Sequence, residues 1–278
     1  MSSTQETVAL LREELGGELE SLRVERVVVG IFFTGLKLSS GRAGIAFTAI
    51  GDIPEAVCCP TTAARMPKAG KLRGLPAVEL LSYAGDANVL KSSIAVALLN
   101  ALSAHLWAGH EPHGYIIERR RDAIEEIDFR SFRSVVLVGA FTPFIRELKR
   151  QQASFLVLEK NPAALKQDEL PLHRWPEQAG EVLPKADLII LTGTTIVNNT
   201  IDGLLAHVQP GTEVIIAGPT ASMVPTAYFA RGVTCLGGIS IYEPDLLLDL
   251  LAEAGSAYHL FGTCAEKITL RPSEVTVR

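Results

Sequence analysis

The 278-residue chain has few of the residues and patterns that mark a familiar class of protein. Its four cysteines, Cys58, Cys59, Cys235 and Cys264, are too few and too irregularly spaced for a disulfide framework. The net charge of −5 argues against the basic face with which proteins usually bind the nucleic-acid backbone. We therefore expect reduced thiols and no nucleic-acid partner.

Signals for export or for a membrane span are also missing from the sequence. The first residues, MSSTQETVALLREELGG, lack a basic segment followed by an apolar one. No later run reaches the roughly 18 to 20 apolar residues that a membrane helix needs. The sequence thus predicts a cytoplasmic protein without a membrane partner, and a homodimer is the default expectation for its assembly.

The common catalytic and metal-binding motifs are absent as well. There is no P-loop, H-E-x-x-H, G-x-S-x-G or Ser-His-Asp order, so the catalytic residues stay unassigned. The densest group of metal-ligand types is His110-Glu111-x-His113, and Cys58-Cys59 are adjacent thiols, but neither has the spacing of a closed zinc site. A loop or packing role fits both groups better, and the metal ligands stay unassigned.

The first part of the chain has the pattern of strands followed by helices. Residues Thr4 to Leu15 place apolar side chains on one helical face, and residues 22–50 alternate as a three-stranded antiparallel meander. Helical spacing returns at 61–66, 75–85 and 88–107. The following segment, from His110 to Arg130, is highly charged and suits a connection. We therefore predict an α+β domain over residues 1–110.

The second part alternates short apolar strands with helices, which indicates a parallel sheet covered on both faces. This predicts a Rossmann-like α/β domain over residues 111–278. The predicted strands are 134–138, 155–159, 187–191, 213–217 and 233–236, and the predicted helices are 143–151, 162–168, 200–208, 225–231 and 244–254.

Candidate site residues follow the ends of these strands, where ligands bind in open parallel sheets. Gly139 begins the first turn, which lacks the remaining glycines of a dinucleotide fingerprint, and it suits an ordinary connection or a ligand contact. Glu159 ends the second strand, where a carboxylate could bind ribose hydroxyls or could favour the start of the next helix.

The strongest local signal is the segment DLIILTGTTIVNNT, residues 187–200. Its strand ends in Thr192-Gly193-Thr194-Thr195, and Asn198-Asn199-Thr200 precede a helix, which is more polar groups than capping requires. Such corners can cradle an anion or a polar ligand. The corners at 218–222 and 237–238 are expected at the same edge of the sheet, where they would form the floor of a cleft.

Two further groups have structural and functional interpretations. Asn100 interrupts the apolar run IAVALLNALSAHL, and it could bond a neighbouring backbone group in the core or point into a cleft between the domains. Arg119, Arg120 and Arg121 lie among acidic residues, and ion pairing at helical spacing explains them better than an anion site does.

The segments LIILTGTTIVNNTIDGLL, VIIAGPTASMVP, GVTCLGG, VVLVGAFTPFI and IAVALLNALSA resemble the family of unknown function labelled putative heavy-metal chelation domain. The resemblance implies an enolase N-terminal-like domain followed by a Rossmann-like domain, with the site at their interface. It also implies a set of cleft residues, namely Asn100, Gly139, Phe141, Thr192, Gly193, Thr194, Asn198, Thr200, Gly218, Pro219 and Gly238.

Three functions are consistent with these observations. The first is binding of a small polar ligand, a metal ion or a metal chelate in the interdomain cleft, since glycines, amides and hydroxyls suit an organic molecule better than a soft metal. The second is a transferase-like enzyme that uses a nucleotide-type cofactor at Glu159. The third is a scaffold without catalytic activity.

Overall fold

The computed structural model describes residues 1–49, 69–125 and 127–273. Within these ranges the chain forms two β-sheets and a set of mostly short α-helices. The strands are β1 (Val24–Val29), β2 (Phe33–Leu38), β3 (Ala43–Phe47), β4 (Tyr115–Arg119), β5 (Val135–Val138), β6 (Phe155–Leu158), β7 (His173–Arg174), β8 (Leu188–Thr192), β9 (Glu213–Ala217), β10 (Cys235–Ile241) and β11 (Ala265–Pro272). The α-helices are α1 (Ser3–Leu15), α2 (Gly17–Ser21), α3 (Ala77–Leu80), α4 (Val89–Gly109), α5 (Thr142–Arg150), α6 (Ala179–Val182), α7 (Thr194–Val197), α8 (Ile201–Leu205), α9 (Thr226–Phe229), α10 (Pro244–Ala252) and α11 (Ala257–Leu260).

The smaller sheet is the predicted antiparallel meander, in the order β1-β2-β3. Helix α4 covers it closely, because Gly44 of β3 has no side chain to hold the helix away. A Cβ on Gly44 would lie 2.3 Å from the Ala97 carbonyl oxygen and 2.4 Å from the Ala101 nitrogen. Asn88 begins the helix by accepting hydrogen bonds from the next turn.

Helix α4 is long and apolar enough to cross a bilayer by length and composition alone. In the described structure, however, 72% of the most apolar 18-residue stretch of this helix is buried against other elements of the protein. Its uniformly apolar surface is therefore accounted for by packing, with β3 on one side and α1 and α7 on others.

The larger sheet has the order β4-β11-β10-β9-β8-β5-β6-β7. The strands from β10 to β7 are parallel, whereas β11 and β4 extend the sheet in antiparallel fashion. The order reverses between β5 and β8, so the loops that follow β5 and β8 leave the same edge of the sheet in opposite directions. This edge is where a ligand is expected in such sheets.

The mixed α/β architecture predicted from the sequence is confirmed, but several elements were wrong. The charged segment 110–130 contains β4, and the final strand, β11, had no counterpart among the predicted elements. Residues 162–168 contain a single 3₁₀ turn at Pro162–Ala164, and the helix expected at 200–208 ends at Leu205. Cys58, Cys59 and the helix predicted at 61–66 lie outside the described residues.

Candidate functional site

The predicted site residues at the carboxyl edge of the parallel strands do lie close together. A Cβ on Gly139 would approach the Thr192 methyl carbon to 2.9 Å, so the turn after β5 packs against the end of β8. Gly139 also has a φ of +102°, which favours glycine. A Cβ on Gly218 would lie 3.8 Å from the Phe141 ring. The edge is thus built from close contacts between neighbouring corners.

The polar groups of the corner after β8 mostly bond one another. The Thr192 hydroxyl donates to Thr194 Oγ1 at 3.1 Å, and the Thr195 hydroxyl donates to the Thr192 carbonyl at 2.6 Å. The Thr200 hydroxyl donates to Asn198 Oδ1 at 2.7 Å. These side chains therefore bond one another within the corner, and neither α7 nor α8 begins with a side-chain cap.

Glu159 likewise stabilises its own turn. One carboxylate oxygen accepts from the Ala140 N–H at 2.9 Å, and the other accepts from the Asn161 N–H at 2.8 Å. The side chain thus links the turns after β5 and β6. Each carboxylate oxygen keeps a second acceptor site, so these bonds leave Glu159 able to accept from a ribose hydroxyl.

The corner at 218–222 joins the larger sheet to the first part of the chain. The Thr220 hydroxyl accepts a hydrogen bond at 2.9 Å from the N–H of Phe47, the last residue of β3. Ser222 donates to the Pro219 carbonyl and accepts from the Ile239 N–H, which fixes the corner beside β10. Gly238 is required here, because a Cβ would lie 2.6 Å from Ser222 Oγ.

A second glycine at the carboxyl edge, Gly193, permits the same junction. A Cβ at this position would lie 2.8 Å from the Cβ of Thr220. The end of β8 can therefore pack directly on the corner that contacts β3. The two corners and β3 form one continuous contact between the two sheets.

Asn100 of α4 is 98% buried at this contact, with 2% of its surface exposed. Its Nδ2 donates to the Ile45 carbonyl at 2.6 Å and to the Thr220 carbonyl at 2.9 Å. Because both partners are acceptors, the amide cannot be reversed. Its Oδ1 is buried and accepts no hydrogen bond within the described part of the chain. A buried acceptor without a donor is costly unless a water molecule or a ligand supplies one.

Asn100 lies in the wall of a cavity of about 300 Å³ between the two sheets. Helix α4 and β3 form one side of this cavity, and β10 with its neighbouring strands forms the other. A volume of this size lies at the lower limit for small-molecule sites. The lining residues are Arg42, Ala43, Gly44, Ile45, Asn100, Ala104, Trp107, Ala108, Arg119, Ser222, Ile239, Ser240, Ile241, Tyr242 and Glu266.

Positive charge is concentrated on this cavity. Arg119 Nη1 donates to Ser240 Oγ at 2.9 Å and lies 3.6 Å from Glu266, whose carboxylate is also paired with Arg120 at 3.0 Å. Arg42 has no ion pair within the described residues. Arg42 and Arg119 therefore line a space in which the carboxylate of Glu266 is already shared with Arg120, a residue outside the lining.

The helical interpretation of Arg119, Arg120 and Arg121 was wrong. Arg119 lies in β4, and both Arg119 and Arg120 pair with Glu266 of the neighbouring strand β11. The sequence offered no signal for this arrangement, because β4 and β11 are far apart along the chain. The contributions of Arg42, Ser240 and Tyr242 to the cavity were also missed, since each depends on the way the two sheets pack.

The described residues do not provide a ligand set for a metal ion. No group of three or more His, Cys, Asp or Glu side chains converges within them. Burial raises the pKa of Cys235 to about 12 and that of Cys264 to about 11, which keeps both thiols protonated at neutral pH. A protonated thiol is a poor metal ligand. The amide, hydroxyl and guanidinium groups of the cavity fit an organic anion better.

Two protein-family models, both described as "Putative heavy-metal chelation", match the chain. The DUF4213 model matches residues 12–103, and the DUF364 model matches residues 122–270, which is more than half of the chain. An uncharacterised protein of Methanocaldococcus jannaschii is 27% identical over 196 residues, which cover 69% of this chain and 70% of that protein.

Two solved structures of DUF364 proteins of unknown function have the same fold. The protein from Pyrococcus horikoshii matches with a TM-score of 0.74 and 20% identity, covering 97% of this chain and 99% of that one. The protein from Desulfitobacterium hafniense matches with a TM-score of 0.68 and 17% identity, covering 96% and 98%. The packing of the antiparallel and mostly parallel sheets is therefore common to all three proteins.

Proposed function

The chain belongs to the putative heavy-metal chelation family, and we propose that it binds a small anionic organic molecule, free or as a metal chelate, in the cavity between α4 and β10. The observation that carries this proposal is the unpaired Oδ1 of the buried Asn100 beside that cavity. An acceptor held in place by two fixed hydrogen bonds is preorganised for a donor group on a ligand.

The charge of the cavity supports an anion as the ligand. Arg42 and Arg119 present guanidinium groups, which bind carboxylates and phosphates through paired hydrogen bonds. Arg119 is positioned for this by Ser240 and Glu266. A ligand with an anionic end and a donor group would therefore engage the arginines and Asn100 together.

The donor chemistry favours a chelate over a bare metal ion. Within the described residues, no side-chain cluster offers three metal ligands, and the two described cysteines are buried with raised pKa values. A metal carried to this cavity would therefore be held by the organic molecule, and the protein would contact its anionic and hydrogen-bonding groups.

The two-domain division at residue 110 is part of this proposal. We propose that residues 1–110 have the enolase N-terminal-like architecture and that residues 111–278 are Rossmann-like. The reversal of strand order between β5 and β8 supports the second assignment. The cavity would then lie at the domain interface, lined by residues from both domains.

Calorimetric titration with citrate, with Zn²⁺ and with their complex tests the proposal. We expect citrate and zinc citrate to bind the wild type, and Zn²⁺ alone to bind far more weakly. The Arg42→Ala/Arg119→Ala variant should bind citrate at least about tenfold more weakly, because charge-assisted hydrogen bonds contribute about 1.5–3 kcal/mol each.

Arg130→Ala is the matched control for this titration. Arg130 is also an exposed arginine with a carboxylate partner, Asp128, but it lies away from the cavity lining. This variant should bind citrate like the wild type. Tight binding of Zn²⁺ alone, or equal citrate affinity in the double variant and the wild type, would refute the proposal.

A further inference from the structure

The cavity exposes a strand edge of the smaller sheet. The Leu38 N–H donates to the Arg42 carbonyl, and the Thr48 N–H donates to the Phe32 carbonyl. In an antiparallel pair every second residue bonds the neighbouring strand, so these two bonds show which residues of β3 bond β2. The peptide groups that bond β2 are therefore those of residues 42, 44, 46 and 48. The peptide groups that point to the opposite edge of β3 are those of residues 43, 45 and 47. At that edge the Phe47 N–H donates to the Thr220 hydroxyl, and the Phe47 carbonyl accepts from the Ser93 hydroxyl. The Ile45 carbonyl accepts from the Asn100 amide. Within the described residues, the Ile45 N–H and both the N–H and the carbonyl of Ala43 have no hydrogen-bond partner, and both residues line the cavity.

The larger sheet exposes a second edge to the same cavity. The Tyr242 N–H donates to the Cys264 carbonyl, which shows which residues of β10 bond β11. Because every second residue bonds the antiparallel neighbour, the peptide groups of Ile239 and Ile241 point away from β11. Strand β9 ends at Ala217 and does not cover this part of β10. Ser222 Oγ accepts from the Ile239 N–H. In the part of the chain that the structure describes, the Ile239 carbonyl and both the N–H and the carbonyl of Ile241 have no partner.

We infer that the ligand of this cavity is a short peptide or peptide-like anion that binds as an extended strand between the edges of β3 and β10; this inference rests on the function proposed above. Extended ligands bind exposed strand edges through their main-chain groups. Here both edges line one cavity, so a single ligand can use the donors and acceptors on both of its sides.

The size and polarity of the cavity agree with this ligand class. A cavity of about 300 Å³ lies at the lower end of the range for small-molecule sites, which suits a ligand of a few peptide units. Asn100 lies in the same wall, where its Nδ2 bonds the Ile45 carbonyl and its Oδ1 has no donor among the described residues. Arg42 and Arg119 are placed to bind a terminal or side-chain carboxylate.

Titration with triglycine and with its N-methylated counterpart, trisarcosine, tests the inference. The two probes have the same charge and the same number of peptide units, but the peptide nitrogens of trisarcosine cannot donate hydrogen bonds. We expect triglycine to bind and trisarcosine to bind at least about tenfold more weakly, as the loss of two or more hydrogen bonds requires.

Amide hydrogen exchange followed by NMR locates the bound peptide. Triglycine should slow exchange at the amides of Ile45 and Ile241. The matched control is the pair Val27 and Val29, whose peptide groups also turn away from β2 but lie on the outer edge of β1, away from the cavity. Their exchange should not change.

The citrate titration separates this inference from the proposed function. If citrate binds and depends on Arg42 and Arg119, but triglycine does not bind or trisarcosine binds equally well, the peptide inference is overturned and the anion site stands. If neither citrate nor triglycine binds, both are overturned. Protection at Val27 and Val29 equal to that at Ile45 would also overturn the inference.

Discussion

The Asn100 side chain donates a hydrogen bond to the carbonyl of Thr220, 120 residues further along the chain, at a distance of 2.9 Å. The same amide group bonds Ile45, so one side chain of α4 joins the edge of the smaller sheet to a corner of the larger one. The other polar atom of this amide, Oδ1, accepts no hydrogen bond from the described residues. A structural tie and a candidate ligand contact are therefore the same residue.

Replacing Asn100 with Asp should destabilise the fold by about 3 kcal/mol, because a buried carboxylate would face two carbonyl oxygens without a donor. The measurement is the free energy of unfolding by urea denaturation. Asn161→Asp is the control, since Asn161 accepts from the Ala163 N–H at an exposed turn and Asp accepts equally well. If the two variants were equally stable, the role of Asn100 in joining the two sheets would be contradicted.

Gly44→Ala should cost about 3 kcal/mol or more, because the new Cβ would overlap the backbone of α4 at Ala97 and Ala101. Gly203→Ala is the matched control. Gly203 lies in α8 with nothing within 4 Å of the added Cβ, so that change should stabilise the protein by about 0.5–1 kcal/mol. Thermal and urea unfolding of both variants should show opposite signs.

Glu159→Ala should lower the free energy of unfolding by about 1–3 kcal/mol, because the N–H groups of Ala140 and Asn161 lose their acceptor. Citrate binding in the cavity should be unchanged, since Glu159 does not line it. Binding of an adenosine cofactor to the wild type, lost in this variant, would instead favour the transferase alternative. Calorimetry on both proteins decides between these outcomes.

The stability should depend on pH through Cys235. Burial raises the pKa of this thiol to about 12, whereas an unfolded thiol titrates near ~8.5. The stabilising contribution is complete below the unfolded pKa and is lost as pH rises through the folded pKa. The Cys235→Ala variant should therefore lose less stability than the wild type between about pH 9 and pH 11. The same comparison at pH 6 gives the packing cost alone, and an identical pH dependence of the two proteins would contradict this account.

The fold class followed from local patterns that need no long-range information. The apolar runs at 135–138, 188–192 and 213–217 are short and rich in β-branched residues, which favours strands of a parallel sheet covered on both faces over buried helices. The meander at 24–47 followed from alternation and from its turn residues. Strands β4 and β11 were missed because they form an antiparallel pair at the end of the sheet, where polar side chains face solvent.

Of the residues proposed for the site from the sequence, Asn100 is the one that lines the cavity. Gly139, Thr192 and Gly218 lie close together at one edge because the carboxyl ends of parallel strands must coincide, but they lie outside that lining. The local hydrogen bonds that occupy Thr194, Asn198 and Glu159 could not be read from the sequence, because the same residue types serve caps and ligand sites.

The sequence by itself determined the two kinds of sheet, their order along the chain and the small residues at the strand ends, because these depend on periodicity and turn chemistry. Only the tertiary structure decided which strand edges stay unpaired. Among the described residues it brings β3 and β10 to one cavity, leaves Asn100 Oδ1 without a donor and places Arg42 and Arg119 in the same lining. These relationships join residues from distant parts of the chain, and the packing of one sheet on the other sets them.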